Sequence, residues 1–321
     1  MRVGIIGAGG ISREHKRGYD QLEGVEFVGV ADPSAQSRQC AEQDWGVTAY
    51  ETAAELIEKA KPDAVSICSP PKFHKDLAIE CLKAGVAVLC EKPMARNAVE
   101  AAEMQKAAVD SGTPLMMAFC HRFHPPVMKV KEAIENGDLG KILMFRNRFG
   151  GKQDMSQRWF GDPDLAGGGE MMDTSVHSVD LFRFLVGDAK WVTGAAADLA
   201  GIYKVEDSGI MVVGAVNGAL AVIEGSWSTP ASQNTVEIYG YEGAATVNYN
   251  TGQTQILRKG SHEWENIETD GPDRFVREVA AFVNAVKTKT APPITGADGL
   301  AASLILDAAY KSSKEGVRVE L

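Results

Sequence analysis

Residues 3–12 read Val3-Gly4-Ile5-Ile6-Gly7-Ala8-Gly9-Gly10-Ile11-Ser12. The apolar run Val3 to Gly7, bounded by glycine, predicts a buried strand, and the residues after it predict a helix reaching about Leu22. Between the two, Gly7, Gly9 and Gly10 allow the chain to turn sharply. The run nearly matches G-x-G-x-x-G, with Ser12 in place of the third glycine, and serine is small enough for helix and strand to pack closely. Such a turn aims the amides of a helix start at a phosphate, so its place after the first strand points to a dinucleotide rather than to a plain tight turn.

Outward from this loop, a second strand, Glu26 to Ala31, ends at Asp32, twenty residues beyond Ser12. A carboxylate there suits the hydroxyls of an adenosine ribose and repels a 2′-phosphate, which favours NAD. NADP is the alternative, with Arg38 as the phosphate's partner. Asp32 before Pro33 also reads as a helix N-cap. A capping box, Thr52-Ala53-Ala54-Glu55, opens another helix, and strands follow at Ala64 to Cys68, Val86 to Cys90 and Leu115 to Ala118, with a helix near Lys75 to Ala84.

Strands that alternate with helices predict a doubly wound parallel sheet with its ligand crevice at the carboxyl ends of the strands. Three segments leave those ends: Ser69-Pro70-Pro71-Lys72-Phe73-His74, Glu91-Lys92-Pro93 and Phe119-Cys120-His121-Arg122-Phe123. Lys92 stands out because an ammonium at the mouth of a buried strand, next to a proline that restricts its backbone, is a positioned charge.

Beyond residue 122 the rhythm changes. A helix from Pro126 to Asn136 and a strand from Ile142 to Phe149 lead, through a loop at 150–166, to a second helix. Six β-rich runs between Trp191 and Leu257 follow, joined by turns such as Asn217-Gly218 and Tyr241-Glu242-Gly243. Helices near Pro272 to Lys287 and Ala297 to Ser313 come last. The expectation is α/β overall: a first domain at 1–121 and, at 122–321, an α+β domain with a large open, mostly antiparallel sheet. Helices on one face of such a sheet leave the other to bury, so a homodimer or homotetramer is expected.

Composition bounds the function. With 321 residues, 45% hydrophobic, 24% charged and a net charge of −10, the chain is an ordinary globular one, and its acidity argues against nucleic acid or an anionic membrane as main partner. No apolar run approaches 18 residues, and the apolar start breaks into glycines and then Ser12-Arg13-Glu14-His15-Lys16, unlike a signal peptide. A soluble, cytoplasmic protein is expected. Five cysteines, Cys40, Cys68, Cys81, Cys90 and Cys120, lack a metal-type spacing and read as reduced core residues.

The densest chemistry lies at Gly167 to Asp180, GGGEMMDTSVHSVD. On an α-helix, Asp173, His177 and Asp180 fall within about 60° of one another, a polar stripe between apolar flanks that include Met172, Val176 and Val179. A solvated i, i+4 pair of Asp173 and His177 is the ordinary alternative.

Together these segments resemble the Gfo/Idh/MocA family, of the glucose-fructose oxidoreductase and inositol dehydrogenase type, over essentially the whole chain. The resemblance rests on Gly7 to Ser12, on Pro70-Pro71-x-x-His74, on Glu91-Lys92-Pro93, and on Gly167-Gly168-Gly169 followed by Asp173, His177 and Asp180. The family pattern usually has glycine where this chain has Ser175, so a serine narrowing the site is expected. The resemblance implies a Rossmann domain, an open-faced α/β domain and hydride transfer between nicotinamide and a hydroxyl or carbonyl carbon of a sugar or polyol.

Alcohol oxidation needs a base, a positive charge for the developing alkoxide and an aligned C–H bond. His177 is the candidate base, Asp173 its orienting partner or the holder of a neighbouring hydroxyl, and Lys92 the charge. Gly7, Gly9, Gly10, Ile11, Asp32, Arg38, Ser69, Pro70, His74, Glu91 and Lys92 are the candidates for binding the cofactor. His121, Arg122 and Trp159 join Lys92, Asp173 and His177 as candidates for binding substrate, the indole offering a flat face to a sugar ring. A metal site at Asp173, His177 and His121 is not expected, because Lys92 would oppose a cation. Two other readings are a redox-assisted glycosidase that uses NAD without net consumption and a non-catalytic nicotinamide-binding regulator on the same fold.

Overall fold

Val3, Ile5 and Ile6 are almost wholly buried, so Arg2–Ile6 (β1) forms in the middle of a sheet, hydrogen-bonded on both sides. The computed structural model describes residues 1–156 and 158–321, and these divide into two units: 1–120 with 272–301, and 121–271 with 302–321.

In the first unit β1 leads to Ser12–Asp20 (α1), Glu26–Ala31 (β2), Ala35–Trp45 (α2), Ala49–Tyr50 (β3) and Ala53–Glu55 (α3), which runs on as a π-helical turn. Ala64–Ile67 (β4), Pro71–Lys83 (α4), Ala87–Cys90 (β5), Ala98–Ser111 (α5) and Leu115–Met117 (β6) complete it. Among the described residues the strands lie in the order β3-β2-β1-β4-β5-β6, all pairs parallel, which is the doubly wound order expected. Because all the pairs are parallel, the segments leaving β1, β2, β4 and β5 share one end of the sheet, and the order reverses between β1 and β4. Thr52 caps α3 by accepting the Glu55 amide at 3.2 Å, as its capping box predicts.

The second unit holds Pro125–Glu135 (α6), Ile142–Gly150 (β7), Pro163–Ala166 (α7) and, after a π-helical turn at Met171–Ser175, Val176–Leu185 (α8). Ala189–Ala197 (β8), Ser208–Ala215 (β9), Leu220–Ser226 (β10), Thr235–Gly240 (β11), Ala244–Asn248 (β12), Thr254–Leu257 (β13) and Glu265–Asn266 (β14) follow. The chain ends with Arg274–Thr288 (α9), Gly296–Glu315 (α10) and Val319–Glu320 (β15). Among the described residues nine strands make one sheet, β14-β13-β12-β11-β7-β10-β9-β8-β15, and only β7 and β10 run parallel. The turn at Asn217-Gly218 joins β9 to β10, with Gly218 at φ +90°, and Tyr241 to Gly243 joins β11 to β12.

Alternation assigns the faces of this sheet. Phe145, Asn147, Ala221, Ile223, Met211 and Val213 are buried, whereas their strand neighbours Arg146, Val222 and Ile210 are exposed.

The sequence alone divided the chain once, near residue 121. In the structure residues 272–301 return to the first unit. Helix α9 packs on α1: a side chain at Gly18 would stand 3.0 Å from Val279, so the glycine lets the two helices meet closely. Arg17 pairs with Asp273, the residue that caps α9, and Lys287 donates to the Glu23 carbonyl at 3.1 Å.

Candidate active site

The first unit contributes a loop whose glycines have different causes. Gly7 adopts φ +95°, and a Cβ there would come within 2.7 Å of the Ser69 amide, so β4's exit forces glycine at this position. At Gly9 and Gly10 a Cβ would meet nothing within 4 Å; the backbone there faces open space. Ser12, in the place of the third glycine, is fully buried and donates its hydroxyl to the Gly9 carbonyl. Ile11 stands half-buried just before α1.

Asp32 turns toward this loop, its Oδ2 accepting the Ala8 amide and its Oδ1 the Ser34 amide, each at 2.8 Å. Its alternative reading as a helix cap does not apply. Ser34 caps α2 by accepting the Ser37 amide, two residues beyond Asp32. Arg38 donates to the carbonyls of Asp32 and Pro33, which ties its guanidinium to the β2–α2 turn. An open glycine backbone at a helix start, with a carboxylate at the end of the next strand, fits a dinucleotide.

The other exits are braced from beneath. His74 is fully buried, with Nδ1 2.9 Å from the Pro93 carbonyl and Nε2 2.7 Å from the Ser69 carbonyl, so it clips the Ser69-Pro70 segment to the one after β5. Burial lowers its pKa even though both carbonyls favour the charged ring. Glu91 is likewise buried, between His15 and the Lys92 amide. The sequence offered both side chains as cofactor contacts; the structure gives them internal partners. Lys92 lies two residues beyond the end of β5, after Glu91, and is half-buried.

In the second unit, the triple glycine owes its composition to neighbours far along the chain. Gly167, at φ +86°, closes α7. A Cβ on Gly168 would run into the Tyr310 hydroxyl, and one on Gly169 into the Glu206 carbonyl. The Glu206 carboxylate accepts the Gly169 amide at 2.9 Å, the Met171 amide at 3.1 Å and the Tyr310 hydroxyl at 2.6 Å. These amides are the ones a helix start leaves without internal partners, so Glu206 anchors the helix that carries Asp173 and His177. Burial raises the pKa of Glu206 against these hydrogen bonds, and burial with Glu206 pushes Tyr310 well up. Neither residue was among the sequence candidates, and the hint was only an acidic pair, Glu206-Asp207, just before β9.

The polar stripe divides by role. Asp173 is half-buried in the π-helical turn, His177 is 8% exposed and Asp180 is fully buried. Asp180 takes two hydrogen bonds from Nε of Arg122, at 2.9 and 3.1 Å, and one from Nη2 at 2.6 Å. Arg122, expected at the substrate, is thereby engaged in a bidentate pair with α8. The rings of His121 and His177 lie 4.4 Å apart, and Nδ1 of His121 is 3.0 Å from the Tyr249 hydroxyl. Phe149 packs against both His121 and Tyr249, and Phe149 and Tyr249 are aromatic neighbours that the sequence reading missed.

Ser175 does not narrow the surroundings of His177 in the expected way. It is buried and donates to both oxygens of Glu170, at 3.1 and 2.9 Å, and that carboxylate lies over Gly225 of β10. Trp159, in a short 3-10 turn, stacks on Phe160 at 3.7 Å and lines a depression with Leu165, Ile202, Tyr203 and Lys204.

Comparison with known proteins fits this geometry. Residues 1–119 match the model described as oxidoreductase family, NAD-binding Rossmann fold, and residues 127–246 match the GFO/IDH/MocA C-terminal domain. A myo-inositol 2-dehydrogenase of Thermotoga maritima is 28% identical, the alignment covering 100% of this chain and 98% of that protein. A D-glucoside 3-dehydrogenase of Escherichia coli is also 28% identical, over 100% and 97%. Among solved structures, a levoglucosan dehydrogenase in complex with NADH and levoglucosan superposes with a TM-score of 0.94 at 24% identity, covering 100% of this chain and 99% of that one, a likeness of fold.

Proposed function

The chain belongs to the Gfo/Idh/MocA oxidoreductase family, and from that premise we propose that Lys92, Asp173 and His177 carry its reaction. It is an NAD(P)-dependent sugar or polyol oxidoreductase, a reading carried by its full-length match to the inositol and glucoside dehydrogenases. Those relatives set aside the glycosidase and regulator readings.

Bound nicotinamide supplies the hydride acceptor, or the donor in the reverse direction. His177 takes the proton of the hydroxyl being oxidised and returns it when a ketone is reduced. Asp173, four residues earlier, orients that imidazole or holds the neighbouring hydroxyl. Lys92 stabilises negative charge developing on the reacting oxygen. Gly7, Gly9, Gly10 and Ile11 hold the cofactor's phosphates and Asp32 its adenosine ribose, which makes NAD the preferred form. His121 borders the substrate beside His177. The test is a panel of polyols, sugars and their keto forms, myo-inositol and levoglucosan included, with NAD(H) and NADP(H), followed at the absorbance band of reduced nicotinamide. No reaction with any member in either direction would remove this reading.

A second copy of the chain covers the outward face of the nine-stranded sheet. Ile210, Leu220 and Val222 are 50%, 43% and 36% exposed there, on adjacent strands, an apolar strip beside Arg146 and the Arg148–Glu224 ion pair, which supports this reading. Light scattering at micromolar concentration tests this, and a monomeric mass would contradict it. No helix among the described residues is long and apolar enough to cross a membrane. We place the enzyme in the cytoplasm, where its five cysteines, none in a disulfide, would stay reduced.

A further inference from the structure

Beneath the Lys92 segment lies a buried polar chain that hydride transfer does not itself require. His15, on α1, is fully buried with both ring nitrogens engaged, Nδ1 2.9 Å from the Ser66 hydroxyl and Nε2 2.9 Å from Oε1 of Glu91. Ser66 lies 2.7 Å from the Tyr19 hydroxyl, also buried, and Oε2 of Glu91 accepts the backbone N–H of Lys92 at 3.1 Å. One hydrogen-bonding order serves every group: Ser66 donates to Nδ1, Nε2–H donates to one carboxylate oxygen, and the other oxygen receives the lysine amide.

We propose that His15, acting through Glu91, is a positioning residue for Lys92. This inference rests on the catalytic role given to Lys92 above. A carboxylate held at one oxygen by a buried imidazole has its rotamer fixed, so its other oxygen holds the lysine backbone in place. The relay also ties the helix that follows the glycine loop to the residue after β5, and a shift of either end moves the other.

Burial would raise Glu91, but His15 first, then Lys92, hold its pKa below the ordinary value, so the carboxylate stays ionised at neutral pH. The other titratable groups around the chain include the Cys68, Cys90 and Cys120 thiols, which burial keeps protonated, His74, whose ring feels the Glu91 charge, and Glu278 of α9, which acts on Tyr19 and Cys68. None of them replaces the donor that His15 gives to Glu91.

The test compares full-length wild type with His15→Phe, which fills the ring's space without its nitrogens, and with His15→Gln, which returns a donor toward Glu91. Amide hydrogen exchange, resolved by NMR, reads the Lys92 N–H against the amides of β4 and β5. In His15→Phe exchange at Lys92 rises about tenfold or more while the strand amides stay protected, and His15→Gln recovers most of the protection. On the best substrate of the panel, kcat falls about tenfold in His15→Phe with KM within about threefold, and His15→Gln recovers it.

Unchanged protection at Lys92, or an unchanged kcat, in a folded His15→Phe protein overturns the proposal. Should that variant not fold, wild type decides: a Lys92 amide exchanging as fast as an open loop overturns the proposal, and strong protection supports it. A wild type that turns over no member of the panel defeats the functional reading, whereas the exchange measurement still decides this one.

Discussion

Arg122 closes on Asp180 through both Nε and Nη2, with the two side chains only 10% and 1% exposed. A buried, multiply hydrogen-bonded pair of this kind is strongly destabilising when one partner is lost, because the other stays behind as an uncompensated charge. Asp180→Ala is therefore expected to lower unfolding free energy by about 3 to 5 kcal/mol in urea titration. A loss as small as that of a typical surface substitution would show that the pair does not brace α8.

Acid weakens the first unit through His74 and Glu91. Both have folded-state pKa values below their ordinary ones, 6.5 for the histidine and 4.5 for the carboxylate. Each contribution is complete above the ordinary value and is lost as pH falls through the folded one, His74 first. Urea midpoints measured from pH 7 downward should fall in wild type, and His74→Gln should flatten the first part of that fall. Parallel curves for the two proteins would exclude His74 as the cause.

The second unit responds in the opposite sense at Glu206, whose pKa burial raises. Its carboxyl is most compatible with the fold below its ordinary value, and stability declines as pH rises through the folded value. Tyr310→Phe removes the hydroxyl that donates to it at 2.6 Å, at an expected cost of about 1 to 3 kcal/mol. Since that hydroxyl favours the ionised carboxylate, the deficit should widen as pH rises. A deficit that is constant or shrinking with pH would contradict this account of Glu206.

The sequence carried the local signals and little of the long-range pairing. Gly7, Asp32 and the alternating strands were legible because a turn, an acid and a period each act over a few residues. Gly168 and Gly169 read correctly as the opening of a helix but for an incomplete reason: what excludes a side chain there is Tyr310 and Glu206, distant in the chain. Asp180 read as a third member of the polar stripe with Asp173 and His177, because its partner, Arg122, lies 58 residues earlier. The return of α9 to α1 was equally hidden, since Gly18 in a helix argues for close approach only once Val279 is known to sit above it.

Asp32 is the residue to test for cofactor choice. Its carboxylate is already oriented by the Ala8 and Ser34 amides, so the ribose hydroxyls would meet a fixed acceptor. Asp32→Ser should weaken NADH about tenfold or more, as the loss of charge-assisted hydrogen bonds predicts, and should improve NADPH relative to NADH. Fluorescence titration measures both constants. An unchanged ratio would mean that another group selects the nucleotide.

The most direct test of the central claim sets wild type beside Lys92→Met and His177→Ala, following reduced nicotinamide with the best polyol or sugar of the panel across pH. Wild type should reduce NAD, Lys92→Met should lose about a hundredfold or more in kcat, and His177→Ala should lose the lower limb of the pH profile, with all three proteins folded. Wild-type turnover in folded Lys92→Met, or an intact lower limb in His177→Ala, would contradict the assignment of the reaction to these side chains.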